Sequence, residues 1–124
     1  MELIENLNQI KAPFNNAVVT IGNFDGVHKG HQALLNQVIA KGAQVGGTCI
    51  AMTFEPHPLR ALGISTPPLI TRRDQKIELI EASGIDVLLC LPFDKAFAQI
   101  PALEFIEDIL VKKIGMKAIV IGPD

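Results

Sequence analysis

Cysteine is scarce in this 124-residue sequence: only Cys49 and Cys90 are present. They lie in different apolar runs without metal-type spacing, so neither a zinc cluster nor a disulfide framework is expected. Buried free thiols in a reducing compartment are. Positive charge is in short supply too. Eleven Lys and Arg stand against thirteen Asp and Glu, a formal net charge of −2, so no global positive field exists to gather nucleic acid or an anionic membrane. Any anion site must be local. The longest apolar runs, such as Val87 to Leu91, fall far below the roughly 20 residues that cross a bilayer. The start, Met1-Glu2-Leu3-Ile4-Glu5, is acidic, which is wrong for a secretory signal or a basic transit peptide, and a cytoplasmic protein is expected. What remains, 48% hydrophobic and 19% charged residues, is enough for one compact domain with an ordinary core.

Apolar runs and helical stripes alternate along the chain. Leu3-Ile4 reads as a short edge strand, and Pro13 with Asn15-Asn16 as a turn. Val18 to Ile21 is continuously apolar, as a strand covered on both faces must be. Residues 29 to 41 place Leu34, Leu35, Val38 and Ile39 on one helical stripe, with Gly42 as the residue that closes the helix. Thr48 to Phe54 is a second strand, stopped by Pro56 and Pro58. An irregular excursion from Leu59 to Ile70 suits a binding loop. Thr71 and Asp74 have capping-box spacing for a helix that buries Ile77, Leu79, Ile80 and Ala82 and ends at Ser83-Gly84. Asp86 to Leu91 is a third strand, after which Asp94 is placed to cap a helix. Pro101 opens a helix with apolar residues Leu103, Phe105, Ile106, Ile109, Leu110 and Ile114, closed by Gly115. Lys117 to Ile121 is a fourth strand. This order predicts an α/β fold: a Rossmann-like open parallel sheet with helices on both faces.

Ligands of such sheets bind at the C-terminal ends of the strands. Four marked segments fall there: Gly22 to His31, Glu55 to Pro58, Pro92 to Asp94, and Gly122 to Asp124. The first carries the strongest signal. Val18 to His31 reads as strand, glycine-rich turn and helix start, a junction whose free N–H groups and macrodipole favour an anion, phosphate above all. His28 and His31, three residues apart, can lean over the same anion. Gly22 and Gly26 let backbone approach a nucleotide, and Asn23 and Asp25 offer short polar groups. The glycine spacing departs from G-x-G-x-x-G, so a nicotinamide site fits badly, and there is no Walker A sequence. Two plainer readings stay open at this point: helix capping by the histidines, or half of a zinc site with His57 and Cys49. His57 itself, and Arg72 with Arg73 at a helix start, read as exposed residues.

His28-Lys29-Gly30-His31 resembles the His-x-Gly-His signature of the nucleotidyltransferase superfamily. The longer string Ile21-Gly22-Asn23-Phe24-Asp25-Gly26-Val27-His28-Lys29-Gly30-His31-Gln32 resembles bacterial FAD synthetases, the FMN adenylyltransferase module of bifunctional riboflavin kinase/FMN adenylyltransferases. Thr53 to Pro58, Leu69-Ile70-Thr71 leading into Lys76-Ile77-Glu78, Leu91-Pro92-Phe93-Asp94 and Phe105-Ile106 match as well. The resemblance covers most of residues 15 to 124. It implies that residues 1 to 124 are the N-terminal part of the adenylyltransferase domain, a sheet incomplete at its C-terminal end with an exposed apolar patch or open edge. A second nucleotide loop and a riboflavin kinase domain would lie outside this chain, which alone would be poorly active.

The same resemblance implies transfer of the adenylyl group of ATP to FMN, giving FAD and pyrophosphate, with Mg²⁺ on the triphosphate and small molecules rather than nucleic acid or membrane as partners. His28 and His31 would be catalytic. Gly22, Asn23, Phe24, Asp25, Gly26, His28 and His31 would bind ATP phosphates, and Pro56, Pro58 and Asp124 would border the flavin. A sister enzyme acting on another phosphate acceptor, or an inactive nucleotide-binding piece, are the alternatives.

Overall fold

The computed structural model describes residues 1–24, 29–55 and 73–122. Five parallel strands form one sheet in the order β1-β4-β3-β2-β5. They are β1 Glu2–Ile4, β2 Ala17–Ile21, β3 Cys49–Glu55, β4 Val87–Pro92 and β5 Met116–Val120. The interior strands are apolar along nearly their whole length because helices cover both faces. Helices α1 (Lys29–Val45) and α2 (Arg73–Ala82) pack on one face, where Val18, Ala51 and Leu88 meet Leu34, Leu35, Val38 and Ile80. On the other, Val19, Ile50, Met52 and Leu89 meet Leu110 and Ile114.

Chain direction across the sheet reverses beside β2. From β2 the chain moves through α1 to β3 on one side, whereas β5, paired to β2 on its other side, is reached from β4 across the opposite face. The crevice at the C-terminal ends of β2 and β5 is therefore the switch point at which such sheets bind ligands. The glycine-rich stretch starts there.

Several boundaries differ from the sequence expectation. Helix α1 does not stop at Gly42 but continues to Val45, and Gly46, at φ 64°, makes the left-handed exit. Gly42 has another duty, since a Cβ there would overlap the Cys49 Sγ in the adjoining strand. In α2, Ile80 is buried as expected, but Leu79 and Ala82 are exposed and Lys76 takes a buried position. The cap expected from Thr71 lies outside the described residues.

After β4, Asp94 caps the short helix α3 (Lys95–Ala98), accepting from the Phe97 N–H at 2.8 Å. Pro101 precedes α4 (Ala102–Glu104), which runs directly into a π-helix, Phe105–Ile114. The wider winding, with i→i+5 bonds, stacks Phe105 over Leu110 and Ile109 over Ile114 against the core. Expected on the buried side of one regular α-helix, Leu103, in the short α-helical turn, and Ile106, in the π-helix, are exposed. Gly115 ends the π-helix at φ 86°. Beyond it, Ile119 and Ile121 are exposed, the latter 77%. Cys49 and Cys90 are both buried and free. Among the described residues no helix is long and apolar enough to cross a membrane.

Candidate functional site

The end of β2 is pinned to β3 as it leaves the sheet. Gly22 donates its N–H to the Met52 carbonyl at 3.0 Å, and the Thr53 hydroxyl donates to the Asn23 carbonyl at 3.4 Å. Phe24 follows at φ 54°, a left-handed conformation for a residue with a side chain, and its ring is fully buried under α1. Burial of so large a ring compensates backbone strain of roughly 1–2 kcal/mol. Phe24 can thus meet a nucleotide only through its backbone. Its side chain instead supports His31, whose imidazole stands edge-on to the ring at 5.5 Å between centroids.

His31 lies in the first turn of α1, a 17-residue helix without an acidic residue in that turn. A helix this long delivers the full terminal partial charge, and its described first turn holds no carboxylate to oppose an anion. Of the residues expected at the phosphate site, Gly22, Asn23, Phe24 and His31 are brought together at the mouth of the switch-point crevice. Gly22 and Asn23 are half-buried there. Asp25, Gly26 and His28 lie outside the described residues, as do Pro56, His57, Pro58 and Asp124. Among the described residues no three His, Cys, Asp or Glu side chains converge as a metal cage.

On the other face of the same strand edge lies a feature that sequence reading missed. Phe54 at the end of β3, Phe93 after β4, Phe97 in α3 and Phe105 at the start of the π-helix form an aromatic cluster. Phe97 lies 5.3 Å from Phe54, 5.7 Å from Phe93 and 5.8 Å from Phe105 between centroids. With Ala98, Ile100 and Ala102 these rings line a cavity of about 270 Å³. A second cavity of about 330 Å³ adjoins it across Phe97 and Ile100 and reaches Asn6, Asn8 and Asp94. Aromatic walls in offset and edge-on arrangement suit a flat conjugated ring. Four of the six phenylalanines meet here, and Phe54 joins the three between residues 93 and 105 only through the pairing of β3 with β4.

Charged residues gather beneath β3 on the α2 face. Lys76, 6% exposed, places Nζ 3.7 Å from the Glu55 carboxylate. Arg73 is exposed, as its place at a helix start suggests, and binds Glu5 at 2.7 Å. Between them the Cys90 thiol is pushed up by burial and by the Glu55 charge, although Arg73 and Lys76 oppose this. Such a thiol stays protonated and unreactive near neutrality.

The family model for FAD synthetase matches residues 10–124. Bifunctional riboflavin kinase/FMN adenylyltransferases are similar over the whole chain: 41% identical in Buchnera aphidicola subsp. Acyrthosiphon pisum, 39% in Escherichia coli K12 and 32% in Pseudomonas fluorescens. The chain spans about 40% of the length of each of these relatives. A crystal structure described as a macrolide-efflux protein from Streptococcus pneumoniae superimposes with a TM-score of 0.81. It is 30% identical, and the match covers 96% of this chain and 46% of that one. The family match from residue 10 to residue 124 leads to one assignment: the chain belongs to the FAD synthetase family.

Proposed function

We propose that the protein transfers the adenylyl group of ATP to FMN. An oxygen of the FMN phosphate attacks the α-phosphorus of ATP, a new P–O–P linkage forms, the bond to the bridging oxygen breaks, and pyrophosphate leaves with the electron pair. No covalent enzyme intermediate is needed. Charge grows on the α-phosphate oxygens and the leaving group, so the chain's task is positioning and electrostatic stabilisation. His31, with His28, would donate to those oxygens. The N–H groups at the start of α1 and the backbone of Gly22 to Gly26 would receive the triphosphate. Mg²⁺ would come with ATP, held by phosphates and water.

The observation that carries the reading is the placement of two different sites at one strand edge: the phosphate junction at the end of β2, and the aromatic cavity beside the end of β3. An acceptor with a flat ring and a terminal phosphate matches that pair. Phe54, Phe93, Phe97 and Phe105 would border the flavin, together with Pro56, Pro58 and Asp124. Residues 1 to 124 would form the N-terminal part of the adenylyltransferase domain of a cytoplasmic enzyme with a riboflavin kinase role. The test is to incubate purified full-length protein with ATP, Mg²⁺ and FMN and to follow FAD by chromatography and pyrophosphate by a coupled assay. Stoichiometric FAD and pyrophosphate are expected. Pyrophosphate release with another phosphate acceptor but not with FMN would overturn the flavin assignment.

A further inference from the structure

Lys76 is an odd core residue. An ammonium buried to this degree loses several kcal/mol of hydration, and a long apolar side chain would fill the same space more favourably. Its ammonium lies 3.7 Å from one carboxylate among the described residues, that of Glu55. Glu55 is the last residue of β3, opposite Pro92 of β4 in register, and its carbonyl accepts from the Phe93 N–H at 3.3 Å. The preceding residue, Phe54, projects to the other face of the sheet, as alternation along a strand requires, and there its ring packs on Phe93 and Phe97. Lys76 therefore holds, by its side chain on one face, the strand end that sets two walls of the aromatic cavity on the other.

The first residue of the helix that carries Lys76, Arg73, forms an exposed ion pair with Glu5 just past β1. Contacts of Phe54 with its neighbouring rings are individually weak, so the strand end needs a second restraint to keep one ring orientation. We propose that Lys76 is a positioning residue for the acceptor pocket, acting through Glu55 to set the orientation of Phe54 and Phe93. The inference rests on the flavin reading of that pocket. Lys76 touches neither ATP nor the reacting phosphates in this scheme.

The experiment varies FMN and ATP separately in steady-state assays of full-length wild-type protein and the variants Lys76→Met, Lys76→Arg and Glu55→Gln, with thermal unfolding recorded for each. Lys76→Met is expected to raise the KM for FMN about tenfold, leaving the KM for ATP and kcat within about twofold. Lys76→Arg should restore most of the FMN affinity, since it keeps the charge. Glu55→Gln, at a partly exposed position that tolerates change, should repeat the Lys76→Met effect, and the double variant should be no worse than either single one. A merely structural lysine would lower the melting temperature and shift both KM values together, which overturns the proposal. So would an unchanged KM for FMN in Glu55→Gln, the decisive variant if Lys76→Met does not fold. Wild-type protein that makes no FAD defeats the flavin reading and this inference with it. Wild-type turnover with no FMN-specific change in the variants defeats this inference alone.

Discussion

The ring of Phe24 meets the imidazole of His31 at 67° and 5.5 Å between centroids. Phe24 holds a left-handed backbone to do so, and both residues belong to the stretch that turns from β2 into α1. The contact links core packing to the candidate phosphate site: a buried ring fixes the plane of a half-buried imidazole. Phe24→Leu should keep most of the core volume, costing about 1 kcal/mol in urea unfolding, while kcat for FAD formation falls several-fold because the imidazole loses its support. Loss of stability with unchanged kcat would show that the ring serves packing alone.

Replacing His31 itself separates catalysis from binding. His31→Ala should lower kcat about a hundredfold, the usual effect of losing one preorganised donor of about 3 kcal/mol, with ATP affinity by calorimetry changed far less. Equal losses in both would make His31 a ground-state ligand. Near-normal turnover would leave it a helix-capping residue.

Alkaline pH should weaken the fold through its thiols. Burial raises the pKa of Cys49, with Asp86 adding to the effect, and burial and Glu55 raise that of Cys90. A thiol whose pKa is higher folded than unfolded contributes its stabilisation in full below the unfolded value, near 9.0. That contribution is lost as pH rises through the folded value. Urea midpoints should therefore be insensitive to these groups at pH 7–8 and fall above pH 9. In Cys49→Ala/Cys90→Ala that alkaline fall should be shallower; an identical slope would assign it to other groups.

Strand positions and the parallel α/β class were legible because each strand is a continuous apolar run bounded by turn residues, from Val18 to Ile21 as much as from Val87 to Leu91. The strand order was not, since register depends on contacts between distant segments. Helix faces were legible only in part: Ile106 in the π-helix is exposed where a regular helical stripe predicts burial, and no local spacing signals the change of winding. No local spacing signals that Lys76 is buried, and the carboxylate beside it, Glu55, lies twenty-one positions away. The strand before Gly22 and the helix that carries His31 were legible because the residues of each are consecutive. The aromatic cavity was not, because Phe54, Phe93, Phe97 and Phe105 come from four separate elements.

Gly42 shows how a local signal can carry a tertiary cause. Helix propensity alone predicts that Gly42→Ala stabilises α1 by up to about 1 kcal/mol. The Cys49 Sγ occupies the space a Cβ would need, and forcing extra volume into a packed interior costs about 1–3 kcal/mol. A net loss of stability is expected for Gly42→Ala. Adding Cys49→Ala should recover part of it, and a simple additive double variant in urea unfolding would exclude the overlap as the cause.

Phe97 offers the most direct test of the aromatic cavity, because it contacts Phe54, Phe93 and Phe105 at once and lies far from the α1 junction in the chain. Its ring is half-buried, so Phe97→Leu retains much of the apolar volume but removes the aromatic face. An aromatic pair adds about 0.5–1.5 kcal/mol beyond area burial, which corresponds to roughly a two- to tenfold rise in the KM for FMN. The KM for ATP should stay unchanged, since the triphosphate is assigned to the other face of the strand edge. A rise confined to ATP would move the adenine into this cavity and place the flavin elsewhere. If neither constant moved while stability fell, the four rings would be a core cluster and nothing more.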